Sequence, residues 1–477
     1  MMDFNDTYFF DREQAWEVAM QQNRVKVTSS HTAPQICYYD GLPLENAPSN
    51  LINVPFEKFL GFFSNTSLRL PLDFQGTSEE SLKKGKVLLK ILEEIKKIRS
   101  VMVNCHASVI SESKPDFNND TPWRIVFAVS MYTDVWQYCL KNLAKEFEKK
   151  GHDVLVVIEK NNMHHLDNHF MFKSIAEFKP HILIGISYES RAWLHPDIYF
   201  VSWWQDITPR LRTADKITWR DRDLIFAQTF TQDELLIKTG AKNVQRQGIG
   251  INTDTFRMLP DIERDRKVVF VGSSYINTYH SIPGCQGDDD ILKVIDELLA
   301  SGRLLTMEIA EDLGRKYGIP HALIFEKHAS YLMRERTIEW LCQNKDIQVE
   351  IYGRYWDTNP IVKPFFRGEL PYGEAVAKVY NGAMYAISAV PINITIQRVV
   401  EMAACGCIPV VYDCRHIAEE PHWDNECLFF LSREELYACF DKVPAGNPLD
   451  IGKADSYENF AEKILSTVRE REGTSGI

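Results

Sequence analysis

No uninterrupted apolar run in this 477-residue chain approaches the ~20 residues a membrane-spanning helix requires, so no transmembrane segment is expected. The start, MMDFNDTYFFDREQ, has neither a basic n-region nor an apolar h-region, and the expected location is the cytoplasm. Positive charge is also short: 54 Lys and Arg stand against 66 Asp and Glu, a formal charge of −12, which removes general attraction to nucleic acid or an anionic membrane. The ten cysteines lack the paired spacing of a zinc site and fall mostly in apolar stretches such as AACGCIPVVYDC. Cys405, Cys407 and Cys414 are therefore expected as reduced core residues. A Walker loop and a GxSxG elbow are both missing, so phosphoryl transfer and serine hydrolysis have no motif to rest on.

Two further groupings suggest a metal and are better read otherwise. Asp288, Asp289 and Asp290 stand just before a helical run, where the helix dipole favours acids. His164, His165 and His169 include pairs four or five apart, but Asp167 and Asn168 between them look like a helix cap. The expectation is no metal and no cofactor.

What is present is a chain long enough for two or three cores. Residues 79–101 carry Leu82, Val87, Leu88, Leu89, Leu92, Ile95 and Ile98 among lysines and glutamates, the pattern of a helix. The stretch around Pro34, Pro43, Pro48 and Pro55 is expected to be loop-rich, and SESKPDFNNDTP at 111–122 a linker. From residue 123 strand and helix patterns alternate. Strands are expected at 124–130, 153–159, 181–186, 199–204, 224–227 and 243–247, with a helix at 135–149 and a Thr231–Glu234 capping box. A second series follows at 267–271, 348–352, 385–390, 408–412 and 427–430, with a long helical insertion between Tyr275 and Asp346 and a terminal helix at 457–471. Such alternation predicts an α/β fold with doubly wound sheets.

The most informative stretch is NITIQRVVEMAACGCIPVVYD, 393–413. Asn393 or Thr395 is placed to cap a helix, Arg398 and Glu401 lie three apart on one face, and Gly406 falls where a left-handed terminal residue belongs. A buried strand follows directly. A helix N-terminus at the carboxyl edge of a parallel sheet offers free N–H groups to a diphosphate, and a carboxylate one turn further in can accept two ribose hydroxyls.

This stretch, with VVFVGSSY at 268–275, VEIYGRYW at 349–356, FFRGELPYGEAVAKVYNGAMYAISAV at 365–390 and CLFFLSREEL at 427–436, resembles the metal-independent GT-B glycosyltransferases. Within them it is most similar to the spore-maturation-like, group 1 branch. The resemblance runs from about Trp123 to the C-terminus. It implies two Rossmann-like domains facing across a cleft: an acceptor domain at 123–247, a nucleotide-sugar donor domain at 248–456 that opens through the glycine-bearing connection RQGIGINTDTFRML, and a crossover helix and tail at 457–477, all preceded by an N-terminal extension at 1–122 of unassigned role. Where many relatives carry a glutamate eight residues before the ribose-binding one, this chain has Asn393.

On that basis Glu401 is the expected ribose ligand, the N–H groups of Thr395, Ile396 and Gln397 the phosphate cradle, and Arg398 the cation that a metal supplies elsewhere, or else an ordinary surface ion pair. Gly272 and Ser273 are expected to bring backbone donors to the diphosphate, and Gly353, Arg354 and Tyr355 to meet base or phosphate, with Arg354 alternatively a solvated loop residue. On the acceptor side, Asp206 in SWWQDITPRL is either the base, its pKa raised beside Trp203 and Trp204, or the N-cap of a following helix. Glu189, in the loop SYESR after another strand, is a second acidic candidate. The implied activity is sugar transfer from a nucleotide-diphosphate donor to a glycan, lipid, protein or small-molecule acceptor. Two other readings stay open: an epimerase or hydrolase of nucleotide sugars on the same fold, and a non-catalytic nucleotide-binding interaction module.

Overall fold

The computed structural model describes residues 6–26, 36–66, 68–118, 121–129, 134–159, 168–189, 192–213, 216–419, 421–454 and 456–473. The chain forms two compact units: one comprises residues 1–227, 232–245 and 464–477, the other residues 228–231 and 246–463. His164, His165 and Asp167 lie outside the described residues.

The first unit contains two sheets. The smaller one, unforeseen in the sequence, is built from β1 (Thr7–Phe9), β2 (Cys37–Tyr39), β3 (Leu51–Asn53) and β4 (Asp73–Gln75), parallel throughout in the order β3-β2-β1-β4. The larger is formed by β5 (Arg124–Val129), β6 (Asp153–Ile158), β7 (Ile182–Ile186), β8 (Tyr199–Trp204), β9 (Asp223–Ala227) and the short β10 (Gln245–Arg246), in the order β10-β9-β8-β7-β5-β6. From β9 to β6 every pairing is parallel, as expected of strands buried on both faces.

One helix, Glu79–Glu112, serves both cores. Ser78 caps its start by accepting the Ser81 N–H. Leu88, Leu92 and Ile95, spaced four and three apart, pack with Tyr8, Tyr38, Phe59 and Phe63 of the small sheet layer, while Ile110 packs with Val126, Phe170 and Ile175 of the larger one. The seven-residue apolar stripe is therefore divided: Leu82, Val87, Leu89 and Ile98 are exposed. Buried Arg99 on the same helix donates to the carbonyls of Phe63, Thr66 and Leu68, satisfying the open C-terminal end of helix Phe59–Asn65.

The second unit is a doubly wound sheet of β11 (Asp265–Val271), β12 (Gln348–Tyr352), β13 (Ala383–Ser388), β14 (Ile408–Tyr412) and β15 (Leu428–Phe430), parallel throughout in the order β12-β11-β13-β14-β15. Its strand order reverses between β11 and β13. That reversal opens a crevice at the carboxyl ends of the strands, where ligands bind in such sheets. Helix Gln397–Ala404 connects β13 to β14 and ends at Gly406, whose φ of 80° suits a residue without a Cβ. The GT-B expectation of two Rossmann-like α/β domains is thus met by the larger sheet of the first unit and the sheet of the second. The terminal helix, Tyr457–Arg471, is divided between the units after Lys463. The expected Thr231–Glu234 capping box is not formed, because Thr231 gives its N–H and hydroxyl to Glu419.

Cysteine behaves as expected of core: Cys405, Cys407 and Cys414 are buried and free, and Cys407 donates its thiol to Tyr380 O at 2.8 Å.

Candidate functional site

The carboxyl edge of the second sheet gathers the residues that the sequence singled out around Glu401. Val399, Val400, Met402 and Ala403 anchor helix Gln397–Ala404 in the core, and this fixes the direction of its polar side chains. Glu401 is 6% exposed. Burial pushes its carboxyl up to about 7, against the lowering effects of a hydrogen bond from Tyr372 and the nearby charge of Arg398. The Tyr372 hydroxyl donates to Oε1 of Glu401 at 2.7 Å and accepts Nε2 of Gln397 at 2.7 Å. Tyr372 lies in GELPYGE and carried no sequence signal of its own beyond that motif.

Arg398 is half-buried and forms no ion pair among the described residues. Its guanidinium passes directly over Gly272, where an added Cβ would lie 2.7 Å from Nη2, and packs 5.3 Å from the Phe270 ring centroid. The surface ion pair considered for it does not occur among the described residues. A second guanidinium reaches the same place. Arg334, on helix Ser330–Gln343 of the insertion, is 1% exposed, stands 5.7 Å from the same Phe270 ring and 3.5 Å from the ring of Tyr275. Its Nη1 donates to Ser273 O at 3.1 Å. Nothing in the sequence pattern singles this arginine out, since it sits on a largely buried helix.

The turns after β11 and β12 are laced together. Gly272 donates its N–H to Tyr352 O, Ser274 donates to Arg354 O, the Arg354 N–H goes to Ser273 Oγ, and Trp356 Nε1 donates to Gly272 O at 2.7 Å. Gly353 has φ 127°, and a Cβ there would sit 2.3 Å from Gly272 O. The two glycines thus permit close approach of two turns. This corrects the expectation for Gly272, whose N–H is already used by Tyr352. Arg354 is no solvated loop residue either, since its Nε pairs with Glu369 at 2.9 Å. Tyr355, with φ 69°, is exposed beside it.

The helix start also differs in detail. Ile396 is the N-cap residue and gives no side-chain bond, while Asn393 Oδ1 accepts the Thr395 N–H at 2.9 Å and hydroxyl at 2.8 Å. The Ile396 N–H goes to Ile394 O. Thr395 and Ile396 are therefore not open donors, which leaves the first-turn N–H groups of Gln397 and Arg398 as the free ends of the helix.

In the first unit, Asp206 follows β8. The cap of helix Pro209–Thr213 is Thr208, whose Oγ1 accepts the Leu211 N–H, so Asp206 is not spent on capping. Its carboxylate Oδ2 accepts Trp136 Nε1 at 3.1 Å. Burial raises its pKa and the Trp136 bond opposes the rise. Trp203 and Trp204 are fully buried in the sheet, and the indole at the carboxylate is that of Trp136. Glu189 Oε1 accepts Arg210 Nε at 2.7 Å, which makes it an ion-pair partner.

Asp288 proves more than decoration of a helix start. It pairs with fully buried Lys327 at 2.6 Å and with His328 Nε2 at 2.7 Å, and Cys285 Sγ donates to its Oδ1 at 3.1 Å. Cys285, Asp288 and His328 have metal-ligand chemistry and lie within 4.8 Å of one another. The Lys327 ammonium, turned inward by the π-helical turn Ile324–Ala329, already balances the carboxylate.

Among the described residues, no helix is long and apolar enough to cross a membrane. No curated protein sequence matches the chain. Similar solved structures include a glycosyltransferase from Rickettsia africae ESF-5, at 12% identity over 73% of this chain and 98% of that one, TM-score 0.44. WaaG, a glycosyltransferase involved in lipopolysaccharide biosynthesis, is similar at 11% identity over 74% of this chain and all of that one, TM-score 0.44. The sequence profile of the family described as glycosyl transferase-like matches residues 334–450. That matched segment carries Arg354, Tyr372, Arg398 and Glu401.

Proposed function

We propose that the chain transfers a sugar from a nucleotide-diphosphate donor to an acceptor hydroxyl without a metal ion. The observation that carries this reading is a buried carboxylate, Glu401, one turn into a helix whose Arg398 lies over Gly272 at the end of β11. In the proposed mechanism Glu401 accepts the ribose hydroxyls, and the first-turn N–H groups of Gln397 and Arg398 bind phosphate oxygen. As the bond between the anomeric carbon and the diphosphate breaks, the electron pair goes to the diphosphate oxygen. The Arg398 guanidinium offsets that developing charge, a role a divalent metal fills in other enzymes. The acceptor oxygen forms the new bond and gives its proton to a general base, the role expected of Asp206.

The test is release of nucleoside diphosphate from a panel of nucleotide sugars, with and without candidate acceptors. Acceptor-dependent release that is lost in Glu401→Ala supports transfer. Equal release with no acceptor present favours a hydrolase.

A further inference from the structure

The four cations of this region differ in how they are satisfied. Arg354 has Glu369 and Lys327 has Asp288, but neither Arg334 nor Arg398 has a carboxylate partner among the described residues. Arg334 is the more costly of the two to leave so. It is 1% exposed, its hydrogen bonds run to two neutral groups, Ser273 O and the Tyr275 phenol, and its Nε has no hydrogen-bond partner. The adjacent acid, Glu335, is committed elsewhere, its Oε1 accepting the Ser274 hydroxyl at 2.6 Å.

The two guanidiniums are also close enough to repel. They share the Phe270 ring, and burial together with the charge of Arg398 brings Arg334 down to about 10. The Arg334 charge, opposed by burial and helped by Arg398, holds the Tyr275 phenol below its usual range. Two like charges driven together at the carboxyl edge of a parallel sheet, one of them fully buried with an unused N–H, leave a locus that a polyvalent anion would neutralise.

We propose that Arg334 is a second phosphate ligand, reaching across the Ser273 turn so that it and Arg398 clamp a diphosphate between them. The clamp rests on the nucleotide-diphosphate reading for its natural occupant, though the chemistry it selects is diphosphate as such. An arginine suits this place better than a lysine, because its planar fork binds two oxygens at once and the stacked Tyr275 ring fixes its plane. The insertion between β11 and β12 thereby delivers a binding residue to the site from a helix that the sequence marks only as structural.

Isothermal titration of the wild type and Arg334→Gln with inorganic pyrophosphate and with uridine, adenosine and guanosine diphosphates tests the clamp. The account expects one nucleoside diphosphate and pyrophosphate to bind the wild type, and both to bind Arg334→Gln at least about tenfold more weakly. Equal affinity in a folded Arg334→Gln overturns the role of Arg334 and leaves the donor site standing. Pyrophosphate binding that depends on Arg334, with no nucleotide preferred over it, keeps the clamp and removes the nucleotide reading. No binding of any probe to the wild type overturns both. If Arg334→Gln does not fold, Arg334→Lys supplies the variant: it keeps the charge and loses the fork, so weakened pyrophosphate binding supports the clamp and unchanged binding overturns it.

Discussion

The phenol of Tyr372 donates a 2.7 Å hydrogen bond to the carboxylate of Glu401, and that contact opposes the burial that raises the carboxyl's pKa. Without it, a carboxyl group so deeply buried would hold its proton still more tightly.

Glu401 is raised from 4.5 to about 7 in the folded chain, so the stability it contributes is fully present below about 4.5 and is lost as pH rises through 7. The corresponding cost at pH 8 is on the order of 3 kcal/mol. Binding of a nucleotide sugar runs the other way, since the ribose hydroxyls need the ionised acceptor, and affinity rises between about pH 6 and 8. Glu401→Gln flattens both curves and melts at a higher temperature than the ligand-free wild type at pH 8. Thermal unfolding and calorimetric titration across this window are the checks.

Tyr372→Phe removes the donor that favours the charged form. The rise in nucleotide-sugar affinity then moves to higher pH, and at pH 7 binding weakens by roughly 1.5–3 kcal/mol, the worth of a hydrogen bond to a charged group. An unshifted affinity profile in the variant would show that the Tyr372 contact is incidental.

Asp206→Asn is expected to lower kcat by about 10² to 10⁴ while leaving nucleotide affinity within twofold or so of wild type. Trp136→Phe deletes the bond that holds the Asp206 pKa down, so the acid limb of the pH–rate profile shifts to higher pH. Steady-state rates against pH for both variants separate a proton acceptor from a surface carboxylate.

Two neighbours on helix Glu79–Glu112 should respond oppositely. Leu88 is fully buried and Leu89 is 52% exposed. Leu88→Ala is expected to cost about 2–5 kcal/mol in denaturant unfolding, and Leu89→Ala within roughly 0.5 kcal/mol of nothing.

Much of the α/β framework was legible because buried parallel strands are short apolar runs bounded by turn residues. Residues 199–204, 348–352 and 408–412 follow their expected limits, as does the terminal helix Tyr457–Arg471. The small sheet was not legible, since strands of three residues such as Thr7–Phe9 and Leu51–Asn53 are too short to display a period. Within the helical stripe, Leu88 and Leu89 look alike in sequence, and only the partners Tyr8, Phe59 and Phe63 decide which one turns inward. At the site, Arg398 and Glu401 were readable from their spacing on one helix. Arg334, Tyr275 and Tyr372 were not, because Arg334 and Tyr275 come from the β11–β12 insertion and Tyr372 from the β12–β13 connection, and only the fold brings them to the site. Capping shows the same limit: Asp206 and Thr208 are both competent caps, and Thr208 is the one that closes the helix.

The central claim is that Glu401 is a nucleotide ligand, and its most direct test is the thermal stability of the wild type and Glu401→Ala against nucleoside diphosphates and their sugar conjugates. A ligand at ~100 times its dissociation constant stabilises by roughly 2.7 kcal/mol. The account predicts an upward shift of the wild type with one base, lost in Glu401→Ala. A folded wild type that shifts with none of them, or a shift that survives in Glu401→Ala unchanged, would contradict it.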